Sequence, residues 1–334
     1  MNLTQKQFRL QFMYHRQRQG SAGNFFGILK RLSFSNCYSN GYNNLHSYWI
    51  TGFVDAEGCF NIRIIEKKRL KLGWEVQLCF IISLHKKDIA LLEQSFLGVG
   101  NITKQGKDSV QFRVTSVKDL RVIINHFDKY PLITQKFADY QLFKQVVDMV
   151  NRKEHLTEEG LRKIIAIKAS NNNGLTKTLK AAFPNISPVP RLKVTGQRIP
   201  DPHWIAGFVY GEGCFYVVIK NCSTNISGFQ AQLKFQITQH IRDEELLISL
   251  VDYFGCGQYF ISKGRDWGDF TLTKFSDITV KILPFFDKYP LQGVKSLDYA
   301  DFKRVSELMK AKAHLTSEGL EQIRIIKSGM NKGR

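Results

Sequence analysis

Alternating apolar and polar residues predict four strands in the first half of the chain. From Phe60, large apolar side chains recur at every second position between residues 59 and 67. The same period of two runs through residues 75–85, and residues 101–105 and 109–115 repeat it around a glycine turn. A period of two places one face of a sheet on a core and leaves the other free. The pattern therefore predicts a half-buried antiparallel sheet.

Helical periodicity surrounds these strands. The predicted helices cover residues 48–57, 86–97, 118–129 and 135–151, and a last helix runs from Thr157 to about residue 171. Ser47 and Thr157 are expected to cap the first and the last of them, because a hydroxyl oxygen can accept a hydrogen bond from a free backbone N–H.

The whole pattern occurs twice. Residues 49–60 return as residues 204–215, and the Asp-Lys-Tyr-Pro-Leu stretch at 128–132 returns at 287–291. Two copies of one unit favour a duplicated domain of order α-β-β-α-β-β-α-α-α, with halves related by a pseudo-two-fold axis. The predicted fold class is α+β.

Four parts follow along the chain: a basic extension at 1–46, a first half at 47–171, a linker at 172–200 and a second half at 201–334. The extension contains no Asp or Glu and is expected to be poorly ordered. Its composition fits an organelle-targeting segment, a flexible basic arm or a remnant of an upstream reading frame. The linker contains four prolines and a predicted helical turn near residues 175–183.

Charge narrows the choice of partner. Lys and Arg number 48 against 29 acidic residues, a formal net charge of +19. Such an excess favours a polyanion, with nucleic acid as the first candidate and an anionic membrane surface as the second. No apolar run is long enough to span a bilayer, and no C-x-x-C pair or zinc-finger spacing occurs. The six cysteines fit a reducing compartment.

Small residues in the repeated phrase indicate two closely packed helices. Gly52 and Ala56 are four positions apart, as are Gly207 and Gly211, so each pair shares a helix face. Two helices packed on these faces would bring the glutamates at their ends, Glu57 and Glu212, together. Carboxylates that close favour a hard divalent cation between them, an arrangement suited to phosphodiester hydrolysis. The alternative is that both are exposed helix-end acids.

The free faces of the predicted sheets carry amide, hydroxyl and cationic side chains, which are the groups that read base edges in the DNA major groove. An ordinary solvated sheet face is the alternative. The candidates for DNA contact are Asn61, Arg63, Lys67, Gln77, Ser83, Thr103, Gln105, Gln111, Arg113 and Thr115 in the first half, and Tyr216, Lys220, Gln232, Lys234, Gln236, Thr238, Gln258, Lys263, Arg265, Thr271 and Thr273 in the second.

The phrase at 50–58 and 205–213 resembles the LAGLIDADG motif of homing endonucleases in its two-motif, single-chain form. The element order and linker are similar to the I-OnuI subgroup of fungal mitochondrial introns. The resemblance implies two saddle-shaped αββαββα halves joined at the motif helices. It further implies a monomeric enzyme that cuts both strands of a long asymmetric DNA site, leaving a short 3′ overhang, and a mitochondrial location.

The same resemblance implies roles for particular residues. Glu57 and Glu212, with the preceding Ala56 and Gly211, match the metal position, with Mg²⁺ expected and Mn²⁺ or Ca²⁺ able to take its place. The remaining catalytic candidates are Lys136, Lys295 and Gln236. The first-half counterpart of Gln236 is Ile81, so its role would be one-sided. Tyr210 stands where the first motif has Asp55, which suggests that the two halves are no longer equivalent.

Two other functions remain open at this stage. A maturase would bind intron RNA with the same basic charge, and a DNA-binding protein built on an inactive endonuclease would need no metal. Intact glutamates in both motifs favour the nuclease.

Overall fold

The computed structural model describes residues 45–88, 98–225, 228–261 and 263–331. The first half consists of helix α1 (Ser47–Glu57), strands β1 (Gly58–Glu66), β2 (Trp74–His85), β3 (Asn101–Lys104) and β4 (Ser109–Val114), and helices α2 (Val117–Lys129), α3 (Lys136–Asn151) and α4 (Glu158–Ser170). A short helix α5 (Lys177–Ala182) lies in the connection to the second half. The extension up to residue 44 and most of the predicted helix at 86–97 fall outside the described residues.

The second half repeats this order. It consists of α6 (Pro202–Glu212), β5 (Gly213–Asn221), β6 (Phe229–His240), α7 (Glu244–Phe254), β7 (Gln258–Ile261), β8 (Trp267–Leu272), α8 (Phe275–Asp277), a π-helical turn (Ile278–Ile282), α9 (Leu283–Lys288), α10 (Gly293–Lys310) and α11 (Ser317–Ser328). The predicted α+β class with two pseudo-symmetric halves is confirmed, with strand limits within one or two residues of those expected. We refer to α1 and α6 as the motif helices.

Each half contains one four-stranded antiparallel sheet. The strand orders are β1-β2-β4-β3 and β5-β6-β8-β7, the same arrangement in both halves. In β1, the apolar residues at every second position are buried while Arg63 between them is exposed. The predicted alternation therefore does separate a core face from an outer face.

Aromatic side chains fill the space between each sheet and its helices. The Phe60 ring contacts Phe80 and Phe127 with centroid distances of 5.2 and 5.6 Å. In the second half, Phe215 meets Phe235 and Phe286 at 5.2 and 5.7 Å. All of these rings are essentially inaccessible to solvent. Burying one such ring stabilises the fold by about 1.5–3 kcal/mol, so the repeated aromatic set anchors both sheets.

The tyrosine near the start of the helix that follows Tyr-Pro-Leu ties each core together. The Tyr140 hydroxyl donates to Asp128, at 2.6 Å, and the Tyr299 hydroxyl donates to Asp287, at 2.8 Å. The repeated stretch around these aspartates therefore joins two helices of the same half.

The motif helices pack against each other along their small residues. A Cβ added to Gly52 would overlap the backbone carbonyl oxygen of Trp204, and one added to Gly207 would overlap that of Trp49. Only glycine permits such an approach of two helix backbones. The predicted close packing of these helices is confirmed.

One of the two predicted helix caps is wrong. His46, not Ser47, occupies the N-cap position of α1, and Ser47 is the first helical residue. Thr157 does cap α4, because its hydroxyl accepts a hydrogen bond from the N–H of Gly160 at 3.1 Å.

Candidate active site

The two motif helices end side by side on glutamates. Glu57 is the last residue of α1 and Glu212 is the last residue of α6. A Cβ added to Gly211 would lie 2.9 Å from Oε1 of Glu57, so the Glu57 carboxylate lies against the turn of helix that carries Glu212. Each glutamate is followed by an extended glycine that begins a strand. The helix-to-strand junction thus fixes both carboxylates at one end of the interface.

Burial raises the pKa of both carboxylates. Loss of hydration raises the pKa of Glu57, and nearby Lys136 and Lys295 oppose this rise. Burial, with a further contribution from the charge of Glu57, raises the pKa of Glu212 to about 7. A partly buried pair of like charges gains from an added cation, so the site is electrostatically prepared for one.

Lysines flank the pair without neutralising it. The Lys136 ammonium donates to the carbonyl oxygens of Val54 and Ala56, at 2.9 and 3.0 Å. The Lys295 ammonium donates to the carbonyl oxygen of Gly213, at 2.7 Å. Burial lowers the pKa of Lys136, while the charges of Asp55, Glu212 and Glu57 work to raise it. Both lysines therefore lie beside the helix ends, and they are held there by backbone carbonyl groups.

The polar side chain in contact with Glu212 is Gln239, which the sequence analysis did not select. Its amide donates to Oε1 of Glu212 at 3.2 Å. The amide of Gln236, which was expected near this position, donates to Asp269 at 2.7 Å and to Thr238 at 3.0 Å. The detectable signal was a break in the alternation of β6, where Gln239 follows five apolar residues on the core-facing positions.

Asp55 joins the two halves in a way that Tyr210 does not reproduce. The Asp55 carboxylate is fully buried and accepts hydrogen bonds from the N–H groups of Ile133 and Thr134 and from the Trp204 indole, the last at 2.8 Å. Burial raises its pKa to about 6 against these hydrogen bonds.

On the other side of the pseudo-two-fold axis, the Tyr210 ring lies 6.0 Å from that of Trp49. Among the described residues, the buried Trp49 indole N–H has no hydrogen-bond partner. The expected inequivalence of the halves is therefore visible as one satisfied indole and one unsatisfied indole.

Two further aspartates cross between the halves, and both escaped the sequence analysis. Asp88 accepts a hydrogen bond from the backbone N–H of Val294 at 2.8 Å, and Asp243 accepts one from that of Gln135 at 2.7 Å. Asp88 therefore stabilises the start of α10, which carries Lys295, and Asp243 stabilises the start of α3, which carries Lys136. Their identical place after β2 and β6, 155 residues apart, was the available signal.

Most DNA-contact candidates lie on the outer faces of the two sheets. In the first sheet, Arg63 is opposite Gln77, and Ser83 is opposite Gln111, which is in turn opposite Thr103. The corresponding residues of the second sheet pair in the same way, Tyr216 with Lys234 and Gln236 with Thr271. Strand register thus collects the candidates into continuous polar rows.

Other candidates lie beyond the strands. Lys67, Gln105, Thr115 and Thr273 follow strand ends, and Lys263 and Arg265 lie in the turn between β7 and β8. The Arg265 guanidinium lies over the Trp267 ring at 4.8 Å. Two exposed aromatic residues, Phe260 and Trp267, were not predicted as DNA contacts, because only polar and cationic side chains were expected on the outer face.

Comparison with known proteins shows the family to which the chain belongs. Residues 50–147 and 205–306 match the family model described as LAGLIDADG endonuclease. The chain is 40% identical over 304 residues to probable intron-encoded endonuclease 3 of Neurospora crassa, and 41% identical over 301 residues to probable intron-encoded endonuclease 2 of the same fungus. These alignments cover 89% and 86% of this chain but 57% and 65% of the relatives, so the chain spans less than two thirds of either.

Solved structures show the same likeness over their whole length. The I-SmaMI LAGLIDADG homing endonuclease bound to cleaved DNA is 45% identical with a TM-score of 0.86, covering 88% of this chain and 100% of that one. The same enzyme bound to uncleaved DNA in the presence of calcium ions is also 45% identical with a TM-score of 0.84, covering 86% and 99%. Within the described residues, no helix of this chain is long and apolar enough to cross a membrane.

Proposed function

Since the chain belongs to the LAGLIDADG endonuclease family, we propose that it is a site-specific DNA endonuclease that makes a staggered double-strand break in a long asymmetric target. The observation that carries this proposal is the pair Glu57 and Glu212, brought together where the motif helices end. A protein that only bound DNA would have no need of two half-buried carboxylates at its centre, because burying them opposes folding.

We propose that Glu57 and Glu212 hold a hard divalent cation, Mg²⁺ in the first instance, with Mn²⁺ or Ca²⁺ as substitutes. The donor set fits, since carboxylate oxygens are the ligands that such ions prefer. Burial and the charge of Glu57 raise the pKa of Glu212, so the site has an excess of negative charge that a bound cation would balance. The two neighbours predicted with the glutamates, Ala56 and Gly211, stay candidates for ligation through their carbonyl oxygens. The Ala56 oxygen accepts a hydrogen bond from Lys136, which leaves one of its two lone pairs for an ion.

In this mechanism water attacks the scissile phosphate in line, a new P–O bond forms, and the bond to the 3′-oxygen breaks. A bound divalent cation supplies Lewis acidity that stabilises charge on the phosphate and on the leaving oxygen. Lys136 and Lys295 would stabilise the negative charge that develops on the oxygens of the pentacovalent phosphate, because backbone carbonyls hold their ammonium groups beside the helix ends. Gln239 would orient Glu212 through its hydrogen bond. The role of Gln236 as a catalytic candidate stays a prediction.

DNA recognition is assigned to the outer faces of the two sheets. Their rows of amide, hydroxyl and cationic side chains match the donor and acceptor pattern of base edges in the major groove. The two rows differ in sequence, which suits a target whose two half-sites differ. We propose that the chain acts as a monomer, with residues 47–171 and 201–334 each contacting one half-site and residues 172–200 linking them.

We propose an origin in a fungal mitochondrial intron and a role in intron homing. The relatives support this proposal, because two of them are named as intron-encoded endonucleases and a third is named for an intron of the ND4 gene. Binding of intron RNA stays a prediction.

The decisive experiment exposes a randomised duplex library to the full chain, once with Mg²⁺ and once with a chelator, and sequences the cut ends. Cut ends that converge on one long sequence only when Mg²⁺ is present are the expected result. Absence of cutting in both samples, together with tight binding of an intron RNA, would replace the nuclease with the maturase.

A further inference from the structure

A second cluster of metal-binding side chains lies at the opposite end of the motif helices. His46 occupies the N-cap position of α1, and Asp201 occupies that of α6 with His203 two residues later. One ligand atom from each of the three side chains lies within 4.8 Å of the other two. Two imidazoles and one carboxylate therefore converge across the junction of the two halves.

The distances within the cluster leave one imidazole uncommitted. The backbone N–H and Nδ1 of His203 lie 2.8 and 2.9 Å from Oδ1 of Asp201. Nδ1 of His46 lies 4.0 Å from the same oxygen, and the His46 side chain makes no capping hydrogen bond to α1. A carboxylate can serve about four partners, so the capping role of Asp201 leaves room for another ligand.

The two imidazole rings are stacked, with centroids 3.9 Å apart and planes inclined by 20°. The lone pair of an imidazole nitrogen lies in the ring plane, so one ring has to turn before both can face a common ion. The His46 side chain is 44% exposed. An exposed side chain of this kind can make that turn without disturbing the core.

This cluster is separate from the glutamate pair. Each motif helix has 11 residues, which at 1.5 Å per residue separates its two ends by about 16 Å. A single ion cannot contact both ends. The donors also differ in kind: oxygen alone suits Mg²⁺, whereas two nitrogens with one oxygen suit Zn²⁺ and neighbouring transition ions.

We propose that His46, Asp201 and His203 form a binding site for a divalent transition ion of the Zn²⁺ type, which clasps the N-terminal ends of the two motif helices together. Three protein ligands leave the remaining coordination positions to water. Because His46 caps the first motif helix from the residue directly before the first half, and the other two ligands belong to the second half, an ion here would stabilise the association of the halves. Its effect would be on stability and not on the hydrolytic step.

The test measures zinc binding by the full chain against a chromophoric chelator, with Mg²⁺ in excess to occupy the carboxylate pair. Asp201→Asn is the central variant, because asparagine caps a helix about as well as aspartate but provides no anionic ligand. His46→Gln and His203→Gln remove the imidazoles. Each of the three variants is expected to lose one equivalent of bound zinc relative to the unsubstituted chain.

His240→Gln provides the matched control, since His240 is an exposed histidine outside the cluster; it should keep the full zinc stoichiometry. The second readout is thermal unfolding, where zinc should raise the midpoint of the unsubstituted chain and of His240→Gln but not that of Asp201→Asn. Equal zinc stoichiometry in the unsubstituted chain and in Asp201→Asn would overturn the proposal.

Discussion

The two glutamates at the ends of the motif helices, Glu57 and Glu212, both have raised pKa values because they are partly buried. Each ends a helix, each has lost part of its hydration, and the charge of Glu57 makes ionisation of Glu212 less favourable. Their nearest ammonium groups are already engaged by carbonyl oxygens. At the scale of single residues, ionising both glutamates is therefore unfavourable, and a cation bound between them would offset this cost.

Replacing either glutamate tests this arrangement directly. Glu57→Gln and Glu212→Gln keep the side-chain volume but remove an anionic ligand, so each should reduce cleavage of both strands by at least about 100-fold, an effect of about 2.7 kcal/mol on the barrier. DNA affinity, measured in a binding assay without cleavage, should change little. Glu159→Gln, the same substitution at an exposed residue of α4, should retain full activity. Full cleavage by either interface variant would exclude the assigned role.

The raised pKa of Glu212 has a consequence for stability with a definite sign. Its pKa rises from the usual 4.5 to about 7 in the folded state, so ionisation opposes folding. This penalty is absent below pH 4.5 and complete above pH 7. In a chelator at pH 8, Glu212→Gln should therefore increase the free energy of unfolding by about 1–3 kcal/mol.

Denaturant titrations at pH 4.5 and pH 8 measure this effect. The gain should fall to a small fraction at the lower pH, where the folded state holds the proton and the unfolded state is already half protonated. Glu159→Gln should show no gain at either pH, because Glu159 lies on the exposed surface of α4. A stabilisation by Glu212→Gln that is equal at both pH values would contradict the electrostatic explanation.

At the scale of elements, the paired motif helices determine the position of everything else. They form the contact between halves, deliver one glutamate each, and lead directly into the first strand of each sheet. Two loops reinforce the pair, since Asp88 and Asp243 each bind the start of a helix in the opposite half. Disturbing the helix contact should therefore affect the whole assembly.

Gly207→Ala is the sharpest disturbance available. The new methyl group would overlap the backbone carbonyl oxygen of Trp49, and no change of rotamer can relieve a clash with backbone. We expect the free energy of unfolding to fall by about 3 kcal/mol or more. Gly329→Ala serves as control, because its Cβ would lie 3.6 Å from the carbonyl oxygen of Ile326, an ordinary contact distance.

Chemical denaturation of the two variants compares them directly. The control should change stability by less than about 1 kcal/mol, the size of an ordinary Gly-to-Ala effect. Equal stability of Gly207→Ala and the unsubstituted chain would mean that the helices can separate without cost.

Periodicity, duplication and small-residue spacing were enough to predict the strands, the order of elements and the close helix pair. These features depend on local patterns, which a sequence displays openly. The partners of Asp88 and Asp243 could not be predicted, because they depend on how two halves distant in sequence come together. The contact of Gln239 with Glu212 lies within the second half, but it depends on how strand β6 packs beside the end of helix α6. The predicted cap of α1 was wrong because the helix begins at Ser47 itself, so the N-cap position falls on His46.

At the scale of the whole molecule, excess positive charge and two polar sheet faces point to one extended partner. The formal charge of +19 acts over the entire surface, whereas base-reading groups occupy defined rows. Affinity for DNA and choice of sequence should therefore respond to different changes, because phosphate contacts carry charge and base contacts carry information.

Salt dependence separates these contributions. The logarithm of the DNA association constant should fall linearly with the logarithm of salt concentration, because binding releases counterions from DNA. We expect the exposed ammonium groups of Lys220 and Lys263 to contact phosphates in addition to any base contact, so Lys220→Ala and Lys263→Ala should each reduce the slope by about 0.9. Lys163→Ala, on helix α4 and paired with Glu159 at 2.7 Å, should leave the slope unchanged. Identical slopes for all variants would remove these two lysines from the interface.

The unequal pairing of the two indoles has a consequence for building hybrid enzymes. Two copies of the first half, joined at their motif helices, would give each Trp49 indole an Asp55 as hydrogen-bond acceptor, as Trp204 has here. Two copies of the second half would place each Trp204 against a Tyr210 and repeat the unsatisfied environment of Trp49 twice. The two halves are therefore not interchangeable in recombination between relatives. The first half supplies the carboxylate that the indole of its partner needs, whereas the second half leaves that indole unpaired.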